Sequence, residues 1–148
     1  MWYCVLLLFS LSLLPAAEPG GRAQYIGGTA AIRNKVSGSL QTTDDQLFRF
    51  YSKKKAIEIP YERINMIEYG QKVDRRYVMA IVVSPMFLLS KARRHFLTVG
   101  YADEEGNQQA LIFRVDKSDI RSVLVGLEAR TGRKVQYQDD EARKAGKG

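Results

Sequence analysis

One histidine, His95, and one cysteine, Cys4, are all that the 148 residues contain of the two side chains most used in catalysis and metal binding. A lone thiol closes no internal disulfide, and with a lone imidazole it offers no thiolate or imidazole metal set. His95 follows Arg93 and Arg94, two cations that weaken it as a general base, and no Ser-His-acid grouping is evident. The acidic runs Asp44-Asp45, Asp103-Glu104-Glu105 and Asp139-Asp140-Glu141 sit in turn-like or tail-like stretches and read as solvated carboxylates. Neither Gly20-Gly21 nor Gly27-Gly28 precedes a strand-to-helix switch, so no phosphate-cradling loop is indicated. The expectation is a non-enzyme with no metal and no cofactor.

Long apolar runs are also missing, since a bilayer span needs about 20 such residues. The N-terminal run, Cys4 to Leu14 (CVLLLFSLSLL), has instead the length of a signal-peptide core. No Lys or Arg precedes it, and small residues suited to cleavage are spread between Ala17 and Ala23. Residues 1–23 are therefore assigned to a signal peptide or, if uncleaved, to an N-terminal membrane anchor. The protein is expected to be exported, periplasmic or secreted. Cleavage would remove Cys4 and leave a cysteine-free domain.

Charge of one sign dominates: 23 Lys and Arg against 16 Asp and Glu give a formal +7. Such a balance favours anionic partners. Within 71–96, Lys72, Arg75, Arg76, Lys91, Arg93 and Arg94 face only Asp74. The basic residues are not interleaved with a stacking platform, so nucleic acid is not the expected partner.

The remaining chain, 24–135, is one domain of short β segments followed by a helix. Strands are expected at 25–32, 35–41, 47–51, 56–59, 64–69, 94–101 and 108–115, with turn chemistry at Thr42-Thr43-Asp44-Asp45, Lys53-Lys54-Lys55 and 102–107. The period then changes: Ile120, Val123, Leu124 and Leu127 line one helix face. Asp116 is the expected N-cap and Gly132 the stop. Residues 136–148 read as a polar, disordered tail.

The pattern Gly38-x-Leu40, Thr43-Asp44-Asp45-x-Leu47-x-Arg49-Phe50, then Ile57-x-Ile59-Pro60-Tyr61 with Ile64 and Ile67, resembles the PH-like superfamily, in particular its GRAM-like and bacterial PH-like members. The resemblance covers about residues 25–132. It implies a mainly β fold, a bent antiparallel sheet or partly open barrel with one C-terminal α-helix capping an end through Ile120, Val123, Leu124 and Leu127. It also implies a binding role without catalysis. Two features depart from it: lipid-reading relatives are cytosolic, and 77–90 is unusually apolar.

That segment, Tyr77 to Ser90, holds fourteen uncharged residues between Arg75-Arg76 and Lys91-Ala92-Arg93-Arg94. One reading is a buried strand followed by a turn. The other is an interfacial loop in which Met86, Phe87 and Leu88 enter a membrane while Arg75, Arg76, Lys91, Arg93 and Arg94 meet head-group phosphates. Lys53, Lys54 and Lys55 are further candidates for an anionic ligand. The leading expectation is an extracytoplasmic binding or scaffolding domain that docks a protein or peptide on its sheet edge or helix groove. The alternative is a peripheral membrane protein contacting anionic lipid. The oligomeric state is not legible.

Overall fold

A computed structural model describes residues 20–30, 32, 35–53, 55–72 and 94–147. Eight strands, β1 (Gly20–Gly28), β2 (Val36–Gln41), β3 (Leu47–Ser52), β4 (Ala56–Pro60), β5 (Ile64–Gly70), β6 (His95–Ala102), β7 (Gln108–Val115) and β8 (Gln136–Tyr137), form one sheet. A 3-10 turn, Tyr61–Arg63, joins β4 to β5, and two helices follow the strands, α1 (Ile120–Thr131) and α2 (Asp140–Lys147). The order across the sheet is β4-β3-β2-β1-β7-β6-β5-β8. All pairings are antiparallel except β5 with β8, so the sheet is mixed and does not close.

Alternation explains β3. Phe48 and Phe50 are fully buried on β3, while Arg49 between them pairs on the other face with Glu58, opposite it on β4. Phe113 of β7 gathers Tyr25 at 5.8 Å, Phe48 at 6.2 Å and Phe50 at 5.1 Å between ring centroids, and so ties β1, β3 and β7 into one aromatic cluster. Register shifts between Tyr25 and Gly27 on β1, and between Ile64 and Met66 on β5, mark bulges that bend the sheet.

The helix face expected from its period is the one buried: Ile120, Val123, Leu124 and Leu127 all join the core. Its cap differs, because α1 starts after Asp119 rather than near Asp116. The Asp119 carboxylate makes no capping bond to the helix and accepts instead from the Arg22 N–H of β1 at 2.8 Å and the Ser118 hydroxyl at 2.7 Å. Gly132 ends α1 in the left-handed conformation, φ 68°.

Two boundaries and one strand direction depart from the sequence reading. β1 begins at Gly20, so Gly20–Ala23 pair with Gln41–Gly38 of β2 and belong to the sheet rather than to the N-terminal segment. The 136–148 stretch, expected to be disordered, carries β8 and α2, and so adds a helix behind the one expected. Polar sequence folds there because its few small residues are buried: Ala142 is fully covered and Gly146 packs on Tyr137 and Tyr69. The third difference is the parallel β8, added to a sheet expected to be antiparallel throughout.

Candidate functional site: a groove at one end of the sheet

Of the expected contact residues, the structure describes Lys53, Lys55 and Arg94. Lys54, Arg75, Arg76, Met86, Phe87, Leu88, Lys91 and Arg93 lie outside the described residues, as does the whole 77–90 segment. Lys53 and Lys55 are exposed in the β3–β4 turn, where the Ser52 hydroxyl donates to the Lys55 carbonyl at 2.8 Å. Arg94 leads into β6, and its backbone N–H donates to the Gln71 carbonyl at 3.3 Å. Alternating strand directions from β3 through β2, β1, β7 and β6 to β5 put the loop after β3 and the loop after β5 at opposite ends of the sheet. Lys53 and Lys55 therefore share no surface with Arg94.

His95 faces Tyr69, whose hydroxyl lies 2.5 Å from Nδ1. Burial, then the Lys117 charge, holds the imidazole below its ordinary pKa. The acidic runs serve turns and caps. Asp44 Oδ1 accepts the N–H groups of Gln46 and Leu47, each at 2.8 Å, and Asp103 Oδ1 accepts those of Glu105 at 3.0 Å and Asn107 at 2.8 Å. These bonds hold both carboxyls below the usual carboxylate range. Among the described residues no group of three or more His, Cys, Asp or Glu is arranged to hold a metal, and no helix is long and apolar enough to cross a membrane.

A half-open groove of about 570 Å³ lies where the β2–β3 connection, the end of β4 and the C-terminus of α1 meet. Leu47, Pro60 and Tyr61 give it apolar surface, Asp45, Gln46 and Glu62 add polar groups, and Arg130 and Thr131 come from the helix. The chain builds it by crossing itself. The Tyr61 N–H donates to the Gln46 carbonyl at 2.9 Å, which draws the 3-10 turn under the β2–β3 connection. Arg130 reaches back from the last turn of α1: Nη2 donates to the Thr43 carbonyl at 3.0 Å, and Nη1 bonds the Asp45 carboxylate.

Tyr61 is buried, and its hydroxyl has no hydrogen-bond partner among the described residues. Desolvation pushes its phenol up to about 12, so it stays protonated as a donor at neutral pH. Two carboxylates, Asp45 and Glu62, against the single guanidinium of Arg130 leave the lining acidic by one formal charge. His95 is not among the residues that line it.

Sequence reasoning missed this groove. Asp45 reads locally as a turn residue and Arg130 as a helix-end cation, and nothing in the linear pattern joins two residues 85 positions apart. No family model matches the chain, and no curated protein matches it.

Proposed function

We propose that this protein is a non-catalytic binding domain of PH-like type, and that it docks an extended peptide segment of a protein partner in the groove between β3, β4 and the end of α1. The open, bent sheet with a helix across one end is the arrangement that the resemblance implies. The observation that carries the reading is the groove itself: an apolar floor of Leu47, Pro60 and Tyr61 with carboxylates at its rim. That combination fits an apolar side chain flanked by a basic one, the apolar group on the floor and the cation opposite Glu62. The other features of the sheet agree. β4 is an edge strand, and Pro60 together with the lysines of the preceding turn discourages indiscriminate strand pairing along it.

Selection from a random peptide library on the full chain, followed by calorimetry, tests this. Selected peptides should carry an apolar-basic pair, and their affinity should fall at least about tenfold (~1.4 kcal/mol) in Leu47→Asp and in Glu62→Lys. Failure to select any peptide, or unchanged affinity in both variants, would remove the reading.

A second reading, contact with anionic lipid, is favoured by the exposure of Lys53 and Lys55 in a turn beside the half-exposed ring of Tyr51. Salt-sensitive co-sedimentation with anionic vesicles, lost in a Lys53→Glu/Lys55→Glu variant, would support it. No binding at low salt would end it.

A further inference from the structure

The last thirteen described residues, 135–147, form an arm that folds back over the outer edge of β5. Gln136 and Tyr137 pair with Glu68 and Tyr69, the Gln138 N–H donates to the Tyr69 carbonyl at 3.1 Å, and the Gln138 side-chain amide donates to the buried Glu68 carboxylate at 3.1 Å. Tyr137 meets Tyr69 edge-on at 6.0 Å, and α2 seats Gly146 against both rings. The edge of β5, which would otherwise invite another strand, is thus filled by the chain's own tail.

We infer that the outer edge of β5 is an interaction surface for a second copy of this chain, filled in that assembly by the partner's arm. The link between α1 and the arm is Gly132-Arg133-Lys134, all three exposed. Gly132 turns the chain back: it holds φ 68°, and its N–H donates to the Glu128 carbonyl at 2.9 Å, while the Arg133 N–H donates to the Thr131 hydroxyl at 3.1 Å and the Val135 N–H to the Glu128 carboxylate at 2.9 Å. Arg133 and Lys134 are good helix formers. A chain that leaves the left-handed conformation at Gly132 lets α1 run on and carries the arm away from its own β5.

The edge then lacks the Gln138 bonds to Tyr69 and Glu68, and the rings of Tyr69 and Tyr137 lose their shared cover. An identical arm from a second copy supplies the same bonds in the same register, whereas an unrelated strand would have to match Tyr137, Gln138 and the close approach at Gly146 together. The short link holds the arm at high effective concentration in the monomer, so exchange grows with protein concentration.

The test is sedimentation velocity on the full chain over a range of concentrations. No atom lies within 4 Å of a Cβ placed on Gly132, so Gly132→Ala changes the backbone preference without a clash. Wild type should show a dimer fraction that rises with concentration, and Gly132→Ala should raise the association constant at least about tenfold, a shift of roughly 1.4 kcal/mol. Adding Gly146→Val should return the protein to monomer, because the new Cβ would lie 2.6 Å from the Tyr137 ring and 3.3 Å from that of Tyr69. Gln138→Ala in the Gly132→Ala background, a milder change, should lower the dimer fraction as well. A Gly132→Ala chain that stays monomeric at every concentration, or a dimer indifferent to Gly146→Val and Gln138→Ala, would overturn the inference.

Discussion

The hydroxyl of Tyr69 lies 2.5 Å from Nδ1 of His95, and the two rings lie nearly parallel, 14° apart. Burial pushes the Tyr69 phenol up to about 12, so it keeps its proton, and it shares with Nδ1 of His95 a hydrogen bond whose direction is set by the imidazole tautomer. The His95 pKa is lowered by burial and then by Lys117, so the folded protein resists taking a proton that the unfolded chain takes near pH 6.5. Stability from this site is complete above about pH 6.5 and is lost as pH falls through the folded value. Urea midpoints at pH 7.5 and 5.5 should therefore drop more in wild type than in His95→Gln. An equal drop in both would count against the assignment.

Asp44 organises the wall of the groove. Its carboxylate accepts from the Gln46 and Leu47 N–H groups and pairs with Arg49 at 2.7 Å, which holds it below the usual carboxylate range. Its contribution is present above about pH 4 and disappears as pH falls through the lowered value. Asp44→Ala should lower the thermal midpoint at pH 7. Because the residue no longer titrates, the variant should also lose less of its remaining stability on acidification than wild type does.

Phe113 is the hub of the aromatic cluster, fully buried and in ring contact with Tyr25, Phe48 and Phe50. Phe113→Ala removes the side chain at which β1, β3 and β7 converge and leaves a cavity that three rings cannot collapse to fill. The expected cost is about 3–5 kcal/mol, read as a shift in urea midpoint without loss of cooperativity. Val125, on the exposed face of α1, is a control: Val125→Ala should change stability by less than about 0.5 kcal/mol.

Much of this architecture is legible in the amino-acid sequence. β7 spans Gln108–Val115, the segment expected after the polar hairpin connection, and the Asp103-to-Asn107 turn is built by an aspartate collecting backbone N–H groups, which is the reason such residues signal turns. The face of α1 is equally plain, because the 3.6-residue period leaves no other choice. What escapes is set by contacts distant in sequence. Gly20–Ala23 show no alternation, and they are strand only because β2 pairs with them and because Gly21 lets Val123 of α1 approach: a Cβ there would sit 2.5 Å from the Val123 side chain. The arm is polar and would fray alone; it is helical because Ala142 is buried in the core and Gly146 packs on the rings of Tyr69 and Tyr137. The groove depends on Arg130 finding Asp45, and the 77–90 segment, on which the lipid reading turned, lies outside the described residues.

The start of β1 bears directly on where an N-terminal segment can be removed. Small residues suited to processing extend from Ala17 to Ala23, but Gly20, Gly21, Arg22 and Ala23 are paired with Gln41, Leu40, Ser39 and Gly38 of β2. Arg22 adds an ion pair to Asp116 at 3.2 Å and gives its N–H to the Asp119 carboxylate, the contact that fastens the start of α1 to the sheet. A chain beginning at Gln24 forfeits several ladder hydrogen bonds at about 1 kcal/mol net each, together with this fastening, so its stability should fall by on the order of 3 kcal/mol. A chain beginning at Glu18 keeps all of them. Thermal midpoints of the two should differ by at least about 5 °C, and amide exchange in the shorter chain should accelerate first at Leu40 of β2 and at Val123 of α1. Equal midpoints would mean that Gly20–Ala23 contribute nothing to the sheet, and that processing at Ala23 is as compatible with the fold as processing at Ala17.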